Sequence, residues 1–95
     1  MIAVTVDEIA TVLGAQLSGP GDPTAVVSAL TADSRAVAAG ALFVALPGEH
    51  VDGHDYVAAA AAAGAAAALT RHPVPGTLCL VVVDPLVALG RLSRY

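Results

Sequence analysis

The order of apolar and polar positions predicts a short amphipathic helix near the start of the chain. Thr5 precedes the segment VDEIATVLG, and Glu8 follows Thr5 by three residues, which is the spacing of a capping box. Gly14 supplies a left-handed stop at the other end of this helix. The apolar residues recur at helical spacing, so the helix should bury one face. The residues predicted on that face are Val6, Ile9, Ala10 and Leu13.

Three stretches that follow have the apolar character of strands. A short predicted strand, AQLSG, leads into the turn PGDP at 20–23, whose prolines and glycine interrupt regular structure. The segment AVVSALTADSR has the Val, Leu and Thr content of a strand that ends at Asp33. The run ALFVAL is closed by Pro47 and Gly48, and its length and continuous apolar character predict a strand covered on both faces.

The second half of the chain predicts a helix, two strands and a final helix. Asp55 is placed to cap a helix through the alanine tract, which Gly64 would end. AAAALT and LCLVVV are predicted strands, and Asp84 should cap a helix whose first residue is Pro85. The predicted fold is a single small α/β domain with a mixed, partly parallel sheet flanked by helices. Because ADSR and PGEHVDGHDY both follow strands, we expect them to lie side by side at the carboxyl edge of that sheet.

Composition narrows the classes of function. The 95 residues are 57% hydrophobic and 13% charged with a net charge of -4, which favours a folded domain and argues against a nucleic-acid partner. The absence of lysine excludes a Schiff-base catalyst and a Walker-type phosphate loop. Cys79 lies in an apolar run and is predicted to be a buried, reduced thiol. With no export signal and no apolar run long enough to cross a bilayer, we expect a soluble, cytoplasmic protein.

The tripeptide Asp33-Ser34-Arg35 is the first candidate site. Taken alone, it is most simply a turn that ends a strand, with Arg35 in a surface ion pair. The functional alternative is a polar pocket in which the guanidinium binds a phosphate or carboxylate at two points. The residues by themselves leave both interpretations open.

The segment PGEHVDGHDY is the second candidate site. The spacing of His50, Asp52 and His54 would suit a divalent metal, but without a cysteine or a nearby fourth ligand a turn at Asp52 and Gly53 is favoured. Glu49 could be a general base, although an exposed loop acid is the favoured interpretation. The serines lack the G-x-S-x-G context of a hydrolase. We therefore predict neither a metal site nor a catalytic residue in this chain.

The order and spacing of these motifs resemble the N-terminal domain of the Mur ligases, which add amino acids to the peptidoglycan precursor. The resemblance rests on TADSRAVAAGALFVALPGEHVDGHDYVAAAAAAGAAAALT, followed by LVVVDPLVALGRLSR. The composite of D-S-R, G-x-L-F-V-A-L-x-G and D-G-H-D-[FY] before an alanine-rich helix is fairly specific, whereas each part alone is weak. Ala41 departs from the family pattern, which usually has an acid at that position.

The resemblance implies that the domain binds the UDP end of a nucleotide-linked muramoyl peptide. The residues implied in UDP binding are Ala32, Ser34, Arg35, Glu49, His50, Val51, Asp52, Gly53 and His54. It also implies that ATP and magnesium bind in a central domain and that a third domain receives the incoming amino acid or dipeptide. Residues 1–95 would then be the first domain, with no cofactor and no catalytic residue of their own.

Within the family, the triplet Glu49-His50-Val51 favours the members that join D-alanyl-D-alanine to UDP-N-acetylmuramoyl-tripeptide. The sibling ligase that adds the third amino acid is one alternative, and a stand-alone interaction domain is another. By resemblance, the full enzyme is an ATP-dependent peptide ligase of cell-wall synthesis. It would be a monomer with no membrane or nucleic-acid partner.

Overall fold

The computed structural model describes residues 4–46 and 53–93, and these ranges form an α/β fold around one mixed sheet. Their helices are α1 (Val6–Leu13), α2 (Val57–Ala62) and α3 (Pro85–Ser93). The strands are β1 (Val4–Thr5), β2 (Gln16–Ser18), β3 (Val26–Val27), β4 (Ala29–Thr31), β5 (Ala41–Val44), β6 (Ala67–Thr70) and β7 (Cys79–Val81). Two 3₁₀ turns occur in the same ranges, at Ser34–Ala36 and Gly53–Tyr56.

In the described ranges the main sheet has five strands in the order β2-β7-β6-β5-β4. Strands β4 to β7 are parallel to one another, and β2 pairs antiparallel with β7 at one edge. Strands β1 and β3 form a separate antiparallel pair. The prediction of a small α/β domain with a mixed, partly parallel sheet flanked by helices is therefore confirmed. The carboxyl ends of β4 to β7 share one edge, so the segments that follow them are brought close together.

Both faces of the sheet are buried, and consecutive residues of β5 point to opposite sides. Leu42 and Val44 belong to a core cluster with residues of α1 and α3, whereas Phe43 and Ala45 belong to a second cluster with residues of α2. This alternation follows from the two-residue period of a strand. Ala60 of α2 is 1% exposed in the second cluster, because its single methyl group lets the helix lie close to the sheet. The predicted helix through the alanine tract thus packs on the sheet through Val57 and Ala60.

The first helix has the ends that the sequence predicts. The Thr5 hydroxyl accepts a hydrogen bond from the Glu8 backbone N–H at 3.3 Å, and the Glu8 carboxylate accepts one from the Thr5 backbone N–H at 3.1 Å. These two bonds satisfy donors that the helix itself cannot satisfy. Gly14 ends the helix in the left-handed region with φ of 65°. The four residues predicted on the inner face are all buried.

The last helix also begins as predicted. The Asp84 carboxylate accepts hydrogen bonds from the backbone N–H groups of Leu86 at 3.0 Å and Val87 at 3.4 Å, and Pro85 is the first helical residue. Cys79 is fully buried in β7, as expected for a thiol in an apolar run. Within the described ranges, no helix has the length and apolar character needed to cross a bilayer.

Two local predictions were wrong. The stretch predicted as one strand before Asp33 is divided at Ser28, whose backbone N–H donates to the Gly40 carbonyl at 3.0 Å, and its two halves join different sheets as β3 and β4. Asp55 does not cap α2. The turn Gly53–Tyr56 precedes the helix, and Tyr56 occupies the N-cap position without a side-chain hydrogen bond.

Gly64 ends the alanine helix because its backbone takes a positive φ, which residues with side chains rarely adopt. Its φ is 108°, and a Cβ atom would lie 3.2 Å from the Cα of Ala39. The Gly64 carbonyl accepts a hydrogen bond from the Gly40 backbone N–H at 3.0 Å. This contact fixes the segment before β5 against the segment after α2. The predicted stop at Gly64 is confirmed, and it also positions the central strand.

Candidate functional site

The turn after β4 is held by two side chains in sequence. The Thr31 hydroxyl accepts a hydrogen bond from the Asp33 backbone N–H at 3.1 Å. The Asp33 carboxylate then accepts one from the Arg35 backbone N–H at 2.9 Å and so caps the 3₁₀ turn that begins at Ser34. Asp and Thr side chains favour such local bonds to the backbone. The sequence therefore fixes where Ser34 and Arg35 project from the carboxyl edge of the sheet.

Arg35 forms an ion pair with Asp33. The guanidinium Nε lies 3.2 Å from one carboxylate oxygen and Nη2 lies 3.4 Å from the other. The side chain of Arg35 is 90% exposed, so water screens this pair and its contribution to stability is small. The hydrogen bonds from the Arg35 side chain, followed by the one from its backbone, lower the pKa of Asp33. The surface-pair interpretation of Asp33-Ser34-Arg35 therefore describes the geometry of the turn.

The same turn forms one wall of a groove of about 420 Å³. Its lining residues are Ala32, Asp33, Ser34, Arg35, Phe43 and Tyr56. Residues from the end of β4, from β5 and from the turn before α2 thus meet at the carboxyl edge of the sheet. A volume of this size falls in the range of pockets that bind small molecules.

Two aromatic side chains lie in this groove, and sequence reasoning named neither of them. Phe43 is 1% exposed and belongs to the core cluster beneath α2, whereas Tyr56 is 42% exposed. The chain has only three aromatic residues, one Phe and two Tyr, so a groove that contains two of them is enriched. Two features of the sequence could have identified these residues: aromatic residues are scarce in the chain, and each ring lies near the end of a strand or the start of a helix.

The Ser34 side chain lies in the groove, and Ser34 is half-buried. No other residue in 4–46 or 53–93 forms a hydrogen bond with its hydroxyl. A hydroxyl in this position can both donate and accept. Beside it, Arg35 offers N–H donors and positive charge, and Tyr56 offers an exposed ring. The groove thus combines a hydroxyl, a cation and an aromatic surface.

The second predicted segment is described only in part. Gly53 and His54 belong to the 3₁₀ turn that leads to Tyr56, so the backbone places them next to a residue of the groove. Glu49, His50, Val51 and Asp52 lie outside the described residues, and so does the predicted strand stop at Pro47 and Gly48. Their assignment to UDP binding stays a prediction. The described ranges contain no cluster of His, Cys, Asp and Glu that could hold a metal ion.

Thr70 is a further polar residue at this edge that sequence reasoning did not identify. It ends β6 and is fully buried, and its hydroxyl finds no hydrogen-bond partner within the described part of the chain. Alternation along β6 places Thr70 on the same face as Ala68, which packs beneath α2 with Phe43. A buried hydroxyl without a hydrogen-bond partner lowers the free energy of unfolding, so substitution of Thr70 tests whether its hydroxyl is unpaired.

The chemistry of the groove is that of recognition. A hydroxyl with a hydrogen-bonded base would indicate a nucleophile, but among the described residues no such pair includes Ser34. Arg35 is held by a carboxylate whose lowered pKa keeps it ionised at neutral pH. A groove with these groups can bind an anionic ligand that has a flat ring.

Comparisons with known proteins show which family the chain resembles. Residues 26–92 match the sequence profile described as "Mur ligase family, catalytic domain". The chain is 42% identical over 100 residues to the UDP-N-acetylmuramoyl-tripeptide–D-alanyl-D-alanine ligase of Mycobacterium bovis, covering 99% of this chain and 20% of that protein. It is 49% identical over 73 residues to the UDP-N-acetylmuramoyl-L-alanyl-D-glutamate–2,6-diaminopimelate ligase of a Synechococcus strain, covering 70% of this chain and 15% of that protein.

Among solved structures, the fold is similar to a crystal structure of MurF from Acinetobacter baumannii. The TM-score is 0.83 at 29% identity, and the match covers 95% of this chain and 20% of that one. The chain thus spans about a fifth of the length of the relatives that it matches nearly throughout. The family profile covers well over half of the present sequence. This chain belongs to the Mur ligase family.

Proposed function

We propose that this chain is the first domain of an ATP-dependent ligase that joins D-alanyl-D-alanine to UDP-N-acetylmuramoyl-tripeptide in peptidoglycan synthesis. In this proposal the groove at the carboxyl edge binds the UDP end of the substrate. The observation that carries it is that Ser34, Arg35 and Tyr56 line one groove of about 420 Å³, in a chain whose relatives are named as ligases of UDP-N-acetylmuramoyl peptides.

Each of these side chains has a role that suits UDP. The exposed ring of Tyr56 offers a surface on which the uracil ring can stack. The hydroxyl of Ser34 can form a hydrogen bond with the base or the ribose. Arg35 can pair with a phosphate oxygen through the guanidinium N–H groups that Asp33 does not use. We include Glu49, His50, Val51, Asp52, Gly53 and His54 in the proposed site on the strength of the family resemblance.

The chemical step belongs to the rest of the proposed ligase. ATP, with magnesium, would supply the phosphoryl group that activates the tripeptide carboxylate for attack by the amine of D-alanyl-D-alanine. The present chain has no lysine and no Gly-rich loop ending in G-K-[ST], so its residues do not suit a triphosphate. Its contribution would be to fix the UDP end, so that the distant carboxylate is held where it reacts.

The ligase that adds the third amino acid is the second candidate. The Synechococcus relative favours it, because its identity to this chain is higher over a shorter match. The near-complete match to dipeptide-adding ligases favours the first candidate. Activity of the full-length enzyme with D-alanyl-D-alanine but not with a single amino acid would support the first candidate. We also propose that the enzyme is a cytoplasmic monomer with no membrane or nucleic-acid partner.

Calorimetric titration of the chain with UDP-N-acetylmuramoyl-tripeptide tests the proposal. We expect Ser34→Ala to weaken binding by roughly 2- to 10-fold, which corresponds to the loss of one hydrogen bond. Ser93→Ala is a matched control, because Ser93 donates to the Leu89 carbonyl on α3 and lies outside the groove. Binding by Ser34→Ala that equals binding by the unaltered chain would remove Ser34 from the site. No binding by the unaltered chain would overturn the proposed UDP site.

A further inference from the structure

A second cleft of about 330 Å³ lies where the end of α1 faces α3. Its lining residues are Leu13, Gly14, Val82, Val83, Asp84, Val87, Ala88 and Arg91. Leu13 and Ala88 belong to the core cluster on the α1 and α3 face, whereas Phe43 of the UDP groove belongs to the cluster on the other face. The two sites therefore lie on opposite faces of the sheet, and the cleft shares no lining residue with the UDP groove.

The rim of this cleft exposes large apolar side chains. Val83 is 96% exposed, Leu86 is 61% exposed and Val87 is 59% exposed. They lie within five consecutive positions at the start of α3, and we call them the α3 patch. Scattered apolar residues on a surface need no explanation, but a cluster beside a cleft is typical of an interaction surface.

The charges around the α3 patch indicate the chemistry of its partner. The Asp84 carboxylate already accepts two backbone N–H bonds at the start of α3. Arg91 lines the cleft four residues after Val87, on the same side of the helix, and it pairs with no other residue in the part of the chain that the structure describes. The Arg91 guanidinium is thus the charged group here without a hydrogen-bond partner in the described residues, so a fitting partner presents apolar side chains and a carboxylate to it.

The length of the relatives indicates where such a partner would come from. The matched ligases are about five times as long as the region they share with this chain, which covers 20% of their length. In a ligase of that length, the polypeptide that follows α3 would begin three residues beyond Arg91. Two surfaces joined by a short flexible linker meet at an effective concentration in the millimolar range wherever geometry allows the contact.

We propose that the α3 patch and Arg91 form the docking surface for the domain that follows this one in the ligase. This inference rests on the proposed function in one respect, namely that the chain is one domain of a longer ligase. The surface of the following domain is expected to contribute apolar side chains over Val83 and Val87 and an acidic side chain opposite Arg91. Docking there leaves the UDP groove on the other face open to substrate.

Hydrogen–deuterium exchange tests the proposal by comparing the full ligase with the 95-residue chain. We expect the backbone amides of 86–91 to exchange at least roughly tenfold more slowly in the full ligase, since docking must open before they exchange. Val87→Asp places a negative charge opposite the expected acid and should return these amides to their rate in the isolated chain. Arg91→Ala should do so in part. Val26→Asp is the matched control, because Val26 is a 54% exposed valine on β3, away from the cleft.

Equal exchange rates in the two proteins would overturn the docking proposal. Slow exchange in the 95-residue chain, if it occurs only when that chain dimerises, would also overturn the proposal. That result would assign the α3 patch to self-association. A reading frame with no further domain would overturn it as well. Titration with UDP-N-acetylmuramoyl-tripeptide separates the two proposals. Val87→Asp is expected to bind this substrate as tightly as the unaltered chain does. Failure of the unaltered chain to bind it counts against the UDP site alone.

Discussion

Asp33 both shapes the turn after β4 and holds the charge of Arg35. Its carboxylate accepts the Arg35 backbone N–H at 2.9 Å and two guanidinium N–H groups at 3.2 and 3.4 Å. The first bond fixes the turn that carries Ser34, and the other two offset the positive charge at the rim of the groove. The two effects can be separated, because asparagine can replace the acceptor of the first bond without replacing the charge.

We predict that Asp33→Asn binds UDP more tightly than the unaltered chain. The amide oxygen of asparagine keeps the acceptor that shapes the turn. The positive charge of Arg35 is then no longer offset by a carboxylate, so it attracts a phosphate more strongly. Because exposed ion pairs are weak, the gain in affinity should be roughly two- to fivefold and should shrink as salt is added. Asp33→Ala is the control. It loses the turn acceptor as well, and its affinity should fall. Equal calorimetric affinities for all three proteins would show that Arg35 does not meet the phosphates.

The stability of the domain should decrease as the pH falls below about 4, because an unfolded aspartate titrates near 3.9. Hydrogen bonds from Arg35 lower the pKa of Asp33, and hydrogen bonds from Thr24 lower the pKa of Asp22. The unfolded chain therefore takes up protons first, so the stabilisation is present above this pH and is lost as the pH falls through the folded-state values.

Urea unfolding at pH 6, 4 and 3 measures this effect. The double variant Asp22→Asn with Asp33→Asn should have a flatter dependence of unfolding free energy on pH across that range. An identical dependence in the variant and the unaltered chain would mean that other carboxylates are responsible.

Gly19→Ala should destabilise the domain strongly. Gly19 has φ of 95°, and a Cβ atom there would lie 2.1 Å from the Thr77 carbonyl oxygen, which is backbone and cannot turn away. Strain and overpacking together should lower the free energy of unfolding by about 2–5 kcal/mol. Gly76→Ala is the matched control, since its φ is 81° but nothing lies within 4 Å of the added atom. Chemical denaturation that shows equal losses for the two variants would contradict the close approach of Gly19 to Thr77.

Thr70→Val should stabilise the domain, which is the unusual direction for a substitution in a core. The variant removes a buried hydroxyl without a partner in the described residues and keeps a side chain of the same shape. We expect a gain of about 1–2 kcal/mol in the free energy of unfolding. Thr70→Ser keeps the hydroxyl and loses a methyl group, so it should cost about 1 kcal/mol. Loss of stability in Thr70→Val would reveal a partner for this hydroxyl.

Features that depend on local sequence could be predicted. The capping box of Thr5 and Glu8, the left-handed Gly14 and the start of α3 at Asp84 each involve residues within a few positions of one another. The class of the sheet followed as well, because continuous apolar runs are typical of strands buried on both faces.

Features that depend on distant contacts were missed. The break at Ser28 comes from a hydrogen bond to Gly40, and nothing in the local pattern of valines indicates it. A 3₁₀ turn precedes α2, so the N-cap position falls on Tyr56 and not on Asp55, and Tyr56 lines the groove. Asp33 and Ser34 could be chosen as a candidate site from their types alone, whereas Phe43 joined the groove because β5 pairs beside β4.

The central claim is that the groove at the carboxyl edge binds the UDP end of the substrate. Its most direct test is an NMR titration of the isotopically labelled 95-residue chain with uridine 5′-diphosphate, followed through the backbone amide signals. If the groove binds UDP, the signals of 32–35, Phe43 and Tyr56 shift together with one affinity, while those of α1 and α3 stay in place. Shifts confined to α1 and α3, or no shift at saturating nucleotide, would contradict it.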